Sequence, residues 1–302
     1  MKNILDDRFL SGDDPDFPSS VRSDSMRDFW IQDGELLTYI GQSPDVVIPE
    51  GVRKIGKAAF IDNKNLLSVT LPGSLTWIDD CAFSRCENLK SIQIPAGVET
   101  IGRCAFSESG LEEITIAGKP EICLWAFDGT PWKAKTFREK GGLINGNVLL
   151  SVDPELTEYA IPSHVRIIGR DAFKNSKIKE LTVPYGVTKL DICAFAYSAL
   201  ERITLPETLK TIGAYAFSHC TNLTTLVIPS QVTDIGDCAF EEMPECRLTI
   251  LNGTKNEDAF YISEYAFGRQ EAHIKSLCVP HNSLAMQYAV DRGLPLIPGY
   301  KK

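Results

Sequence analysis

The hexapeptide Ile101-Gly102-Arg103-Cys104-Ala105-Phe106 recurs in variant form nine times. Its anchoring phenylalanines are Phe60, Phe83, Phe106, Phe127, Phe173, Phe195, Phe217, Phe240 and Phe267. Ala precedes every one of them, and the residue five before is Ile in eight copies and Leu190 in the other. Most gaps between successive phenylalanines are 21 to 23 residues. A period of that length marks a solenoid, in which each repeat is one coil that buries its apolar edge only by stacking on its neighbours.

The second half of each repeat has the alternation of a strand. It reads Leu66-x-x-Val69-x-Leu71, Leu89-x-x-Ile92-x-Ile94, Leu111-x-x-Ile114-x-Ile116, Ile178-x-x-Leu181-x-Val183, Leu200-x-x-Ile203-x-Leu205 and Leu223-x-x-Leu226-x-Ile228. Period two turns the closing aliphatics inward and the residue between them outward. That outward position reads Thr70, Gln93, Thr115, Thr182, Thr204, Val227 and Thr249, a threonine-rich ladder suited to a pleated surface. The Pro that follows most copies cannot donate to a ladder and ends the strand.

Within the hexapeptide, the position four before Phe is Gly in five copies and Asp in two. The expectation is a tight turn there, with Gly tolerating positive φ. The position two before Phe holds Cys81, Cys104, Cys193 and Cys238, and elsewhere Ala58, Trp125, Asp171, Tyr215 and Tyr265. Small or aromatic filling of a packed slot accounts for this row better than a disulfide framework. The chain has nine cysteines, an odd number, and free thiols are expected. Adjacent coils stack about 4.8 Å apart, which puts Cys81 and Cys104 within bridging range.

The chain divides as follows. Residues 1–28 are rich in Asp, Ser and Pro without periodicity and read as a mobile acidic tail. A single solenoid spans 29–302: a first array over 29–127, a junction over 128–143, a second array over 144–280 and a cap over 281–302. Each array opens with a lead unit, since Ile31 to Phe60 resembles Ile144 to Phe173 at a constant offset of 113 residues. The lead units read as two short strands around Asp33-Gly34 and Asn145-Gly146. In the junction, Thr130 and Pro131 begin a helix over 132–140 that Gly141-Gly142 stops. Trp125 and Trp132 are expected in the core at this junction. Asn282 or Ser283 caps a final helix over 284–292 that covers the last coil.

Little in the chain points to catalysis. His164, His219, His273 and His281 are scattered, and none stands at a nucleophile spacing from Cys or Asp. His219-Cys220 falls where other coils have a plain loop such as Arg85-Cys86. There is no Cys-x-x-Cys pair and no phosphate-cradling glycine loop. No cofactor or metal is therefore expected, and the chain is read as non-enzymatic. The net charge of -9 argues against nucleic acid as a partner. No apolar run has the length of a membrane-spanning helix, and the first residues, MKNILDDRFLSGDD, lack the apolar segment of a secretory signal. The sequons at Asn222 and Asn252 are weak, since Asn65, Asn88 and Asn222 share one repeat position and are expected to bond backbone groups at a turn.

The repeat resembles the BspA-type leucine-rich repeat family, with I-G-x-x-A-F followed by L-x-x-I-x-I-P, over about residues 31–300. The common Leu-x-x-Leu-x-Leu-x-x-Asn pattern is absent. The resemblance implies a repeat solenoid of the α/β class, mainly β, that is right-handed and curved with parallel strands, in keeping with the usual hand of parallel crossovers. It further implies a module for protein–protein interaction or adhesion of bacterial surface type, with host matrix or a cell-surface ligand as partner. An intracellular scaffold is the alternative, favoured by the cysteines and by the chain's beginning. The candidate partner-binding residues are Trp77, Thr70, Gln93, Thr115, Glu180, Thr182, Arg202 and Thr204. Trp77 stands at a position six before Phe that is otherwise mostly polar, and an exposed Trp can anchor an interface; the competing reading folds it over the neighbouring coil.

Overall fold

Each coil contributes two strands. The structure, a computed structural model, describes residues 28–123, 125–256, 259–268 and 274–297. The acidic tail expected over 1–28 lies outside the described residues except for its last one. The strand expected from Leu-x-x-Ile-x-Ile is present, as Ser91–Ile94 and Arg202–Thr204 illustrate. The Ile opening the hexapeptide lies in a second, two-residue strand together with the residue before it. These short strands stack in parallel register, Lys54↔Trp77↔Thr100↔Glu121 in the first array and Ile167↔Lys189↔Thr211↔Asp234↔Tyr261 in the second. They build one six-stranded and one seven-stranded sheet, each begun by an antiparallel hairpin.

The two hairpins show how faithfully the lead unit is repeated. Phe29–Gln32 pairs Glu35–Tyr39 with a bulge at Trp30/Ile31, and Gly142–Asn145 pairs Val148–Val152 with a bulge at Leu143/Ile144, 113 residues on. The second turn is one residue later than expected. Asn145 pairs with Val148, so the loop is Gly146-Asn147, and Gly146 takes the left-handed conformation that Asp33 takes in the first hairpin.

Inside each array the phenylalanines form a column. Phe60, Phe83, Phe106 and Phe127 stack with centroids 4.8, 5.2 and 5.4 Å apart. Phe173, Phe195, Phe217 and Phe240 do the same at 5.0, 5.4 and 6.3 Å. Burial of each ring contributes roughly 1.5–3 kcal/mol by transfer alone. The columns belong to two separate cores, one running from Leu36 to Phe127 and one from Leu149 to Leu294. Other aromatics close their ends. Tyr39 stacks on Phe60 and Tyr159 meets Phe173 edge-on. At the far ends, Trp132 meets Phe127 edge-on at 5.1 Å and Tyr288 lies 6.1 Å from Phe267.

Both of those last residues come from helices. α1 (Pro131–Lys140) is capped by Thr130, whose hydroxyl accepts from the Lys133 N–H, and it stops at Gly141 with φ 69°. α2 (Leu284–Asp291) is capped by the Ser283 hydroxyl through the Met286 N–H and buries Ala285 and Ala289. Trp125, expected in the core at the junction, is instead 54% exposed, because it occupies a turn position whose side chain points off the coil.

That turn overturns two sequence expectations. Positive φ falls two before and two after the first eight of these phenylalanines, at Ala58 and Asp62, Cys81 and Arg85, Cys104 and Glu108, and onward through Cys238 and Glu242. From Ala58 to Cys238 the row two before Phe is thus defined by backbone conformation more than by a packed slot, although Cys238 itself is buried. Cys81, Cys104 and Cys193 are half-buried there. Left-handed backbone with a Cβ costs roughly 1–2 kcal/mol per residue. Inter-coil hydrogen bonds offset that cost: the N–H groups of Cys81, Phe83 and Arg85 donate to the carbonyls of Arg103, Ala105 and Ser107 at 2.8, 2.7 and 2.8 Å.

The glycines four before Phe have ordinary φ. Their role is close approach. A Cβ on Gly102 would lie 2.6 Å from the Asp79 carbonyl carbon, and one on Gly56 would lie 2.8 Å from the Leu36 oxygen. The Gly102 N–H donates to the Ile78 carbonyl at 2.7 Å, so the coil is drawn onto the one before it at this point.

Candidate interaction surface

The outward row of the longer strands is an exposed feature of each array, carried on short two- and three-stranded sheets. Thr70, Gln93, Thr115, Thr182 and Thr204 are all exposed, while Val69, Ile92 and Leu181 between the outward positions are buried. Backbone pairing holds the row in register, with Gln93 opposite Thr115 and Thr182 opposite Thr204. The alternation predicted from period two is therefore present. Val227 extends the row at 44% exposure, and Thr249 is half-buried.

A second row, two residues earlier, carries charge. Glu180 and Arg202 stand opposite each other and form an ion pair. The structure thus brings these two candidates together, where they satisfy each other across adjacent coils. Next to them Lys179 pairs with Glu201 at 2.8 Å, and corresponding rungs elsewhere pair Lys90 with Glu112 at 3.1 Å and Lys275 with Glu245 at 2.8 Å. The Lys179 ammonium holds Glu201 below the usual carboxylate range through a hydrogen bond, and Glu201 in turn raises Lys179. Exposed pairs of this kind add little to stability. Their effect is to cancel charge on those rungs, while Glu113 and Arg247 on the same flank stand opposite Ser91 and Thr225.

Arg202 also borders a shallow, open depression of about 490 Å³, lined by Lys179, Glu201, Arg202, Asn222, Thr224 and Thr225. Of the candidates, only Arg202 touches it. A step in coil length coincides with it: Leu200 follows Phe195 by five residues, whereas Leu223 follows Phe217 by six. That step is readable in the sequence, although its consequence for the surface is not. Asn222 is exposed here. Its repeat-mates differ from the expected backbone bonding in one case: the Asn88 amide donates to the Lys64 carbonyl at 2.6 Å, whereas Asn65 donates to the Gln42 side chain at 2.9 Å. Asn252 is buried and donates to the Val232 carbonyl at 2.8 Å.

Trp77 sits away from this row, in the short-strand sheet between Lys54 and Thr100. It is 41% exposed. Thr100 beside it is buried, whereas Thr211 at the same position in the second array is half-buried. That difference fits an indole lying across the next coil. Lys54 bridges Glu35 at 3.1 Å and Asp79 at 2.8 Å, so the sheet around Trp77 is tied over three successive rungs.

His219 and Cys220 take the same turn as Arg85 and Cys86, as expected, but it is not solvated throughout, since both cysteines are buried. His219 takes the left-handed turn and stacks on Tyr197 with centroids 4.4 Å apart. Cys220 points inward and, like Cys86, donates its thiol to a backbone carbonyl of the preceding coil at 3.1 Å. Burial pushes the Cys86 thiol up to about 12 and the Cys220 thiol to about 11. All nine cysteines are free thiols in the structure. Among the described residues no group of three or more His, Cys, Asp or Glu is placed to hold a metal, and no helix is long and apolar enough to cross a membrane.

The repeat geometry has a counterpart in known sequences. The model of the BspA type leucine rich repeat region matches residues 38–149 and 144–275, in six copies. The chain belongs to the BspA-type leucine-rich repeat family. No curated protein is significantly similar to this BspA-type chain in sequence. Among solved structures, the pneumococcal vaccine antigen PcpA is similar at 22% identity over 86% of this chain and 80% of that chain, with a TM-score of 0.50. A leucine rich cell surface protein from Faecalibacterium prausnitzii A2-165 shares 18% identity over 85% of this chain and 92% of that one, with a TM-score of 0.49. What the BspA-type chain shares with PcpA is the solenoid of parallel strands.

Proposed function

We propose that this BspA-type protein is a non-enzymatic module that binds another protein along the outward threonine row. The observation that carries this reading is the row itself. Thr70, Gln93, Thr115, Thr182 and Thr204 are exposed and fixed to a backbone whose other face is a dense core, with Gln93 in register with Thr115 and Thr182 with Thr204. A rigid face loses little conformational freedom on binding, which is where association otherwise spends much of its free energy. The mostly internal pairing of the flanking charges favours a partner recognised by shape and hydrogen bonding over one recognised by net charge. Family membership, together with the naming of PcpA as a vaccine antigen, supports adhesion at a bacterial surface as its setting. The nine free thiols favour a second reading, an intracellular scaffold, because oxidising compartments pair cysteines.

Photo-crosslinking decides the face. A benzoylphenylalanine at Thr115 or Thr204 should capture a discrete protein in source cells, and one at Glu87, on a turn, should not. Equal capture at all three positions, or none at the threonines, overturns the assignment. Protease shaving of intact source cells separates the settings: peptides of this chain released without lysis support the surface, and release only after lysis supports the scaffold.

A further inference from the structure

We propose that Cys81 and Cys104 form a redox-active dithiol, open to small disulfide oxidants, that closes into a disulfide stapling two adjacent coils. The two residues are 23 apart in sequence and occupy the same place in successive repeats. The ladder fixes them one above the other from both sides. Ile78 pairs with Ile101 just before them, and Phe83 and Phe106 lie 5.2 Å apart at an interplanar angle of 1° just after. Between these points the Cys81 N–H donates to the Arg103 carbonyl at 2.8 Å. Both cysteines have the same left-handed backbone, φ 58° and 52°, so their Cβ atoms project in the same direction. Stacked strands lie about 4.8 Å apart, and the Cα atoms of a disulfide lie roughly 4.4–6.8 Å apart. Parallel Cβ atoms at that stacking distance lie just beyond the roughly 3.5–4.5 Å of a disulfide, so closure needs side-chain rotation and a small approach of the two coils.

No other pair in this row meets these conditions. Cys193 and Cys238 share the position, but the coil carrying Tyr215 stands between them. Cys86, Cys220 and Cys246 are fully buried. Cys81 and Cys104 are half-buried, so an oxidant can reach them, whereas Cys238 at the same position is buried.

The chemistry balances with a low-molecular-weight disulfide such as oxidised glutathione. One cysteine loses its proton, and its thiolate attacks a glutathione sulfur. The glutathione S–S bond breaks, one glutathione thiol leaves and a mixed disulfide forms. The second cysteine, deprotonated in turn, attacks the protein sulfur of that mixed disulfide and expels the second glutathione thiol. Two protein thiols are oxidised and one glutathione disulfide is reduced. Burial, then the neighbouring Cys81 and the carboxylates of Asp128 and Asp80, raise the Cys104 thiol above its ordinary value. The reaction should therefore accelerate as pH rises above neutral.

The test is peptide mapping of the folded chain after incubation with oxidised glutathione, without denaturant. Trypsin cuts after Arg85, Lys90 and Arg103, so the two cysteines fall in separate peptides. The expected product is a single cross-linked pair, Cys81 to Cys104, that dithiothreitol releases and that raises the melting temperature. Cys81→Ser and Cys104→Ser should each abolish the cross-link, leaving glutathione on the remaining thiol, while melting close to the reduced parent. Glutathione retained separately on both cysteines of the parent, cross-linking at another pair, or no modification of either residue overturns the proposal.

Discussion

The rings of Phe83 and Phe106 lie 5.2 Å apart and within 1° of parallel, so one coil is nearly a pure translation of the next. Removing one ring leaves a gap that the flanking rungs cannot close, because each is pinned by backbone pairing on both sides. Phe83→Ala should cost about 3–5 kcal/mol, the usual range for a buried aromatic. A thermal or urea melt that leaves the midpoint unchanged would contradict the column as the core of the first array.

Two substitutions at neighbouring repeat positions should have opposite signs. Gly102→Ala puts a Cβ 2.6 Å from the Asp79 carbonyl carbon, and backbone must move. A loss of about 1–3 kcal/mol is expected, as for overpacking elsewhere. Ala58→Gly relieves a left-handed Cβ at φ 57°. It should be neutral or stabilise by up to about 1 kcal/mol, despite the usual cost of Gly in ordered structure. Urea midpoints of the two variants check both signs.

Thiol reactivity should divide the cysteines. Cys81, Cys104, Cys123, Cys193 and Cys278 are half-buried, and Cys86, Cys220, Cys238 and Cys246 are buried. Burial raises Cys86 and Cys246 to about 12 and Cys220 to about 11, so the thiolate is scarce as well as shielded. Titration with an aromatic disulfide at mildly alkaline pH should label only the first group in the folded chain, and the rest on unfolding. Rapid labelling of Cys86 or Cys220 in the native state would contradict their placement.

The Lys54 bridge makes a pH-dependent contribution. Burial works against the Asp79 carboxylate, but the hydrogen bonds from Lys54 and the Asp80 N–H, with the charges of Lys54 and Lys57, hold it below its ordinary 3.8. A depressed folded value stabilises above the unfolded value and is lost as pH falls through the folded one. Asp79→Asn should therefore be weaker than the parent at neutral pH by about 0.5–1 kcal/mol, the range of a partly exposed pair. The gap should narrow as pH falls below about 3.8. Urea midpoints at neutral and acid pH measure it, and a constant gap would assign the loss to packing.

Much of the fold was legible because solenoid sequences repeat their instructions. The spacing of Phe60, Phe83 and Phe106 and the alternation of Ile92, Gln93 and Ile94 reflect local sterics, in which a strand residue faces in or out according to parity. The caps of α1 and α2 were equally local, since Thr130 and Ser283 bond groups three residues away. The outward row at Thr70, Thr182 and Thr204 followed from the same parity. The mutual neutralisation of Glu180 and Arg202 was less accessible, because it depends on a partner one coil away.

By itself, then, the sequence determined the coil period, the inward and outward faces, the lead units and the helix boundaries. Each rests on interactions within a few residues or on repetition of one unit. Only the tertiary structure decided that the glycines serve close approach rather than turns, that Cys81 and Cys104 share a left-handed conformation, and that Trp125 faces out. It also decided which aromatics end the two columns. Tyr39 opens the first, but its sequence equivalent is Val152, and Tyr159 supplies the ring instead. The physical reason is common to all four. The strained turn, the drawn-in glycine and the column end are held by hydrogen bonds and packing from a neighbouring coil, helix or lead unit, and those partners are set by stacking rather than by proximity along the chain.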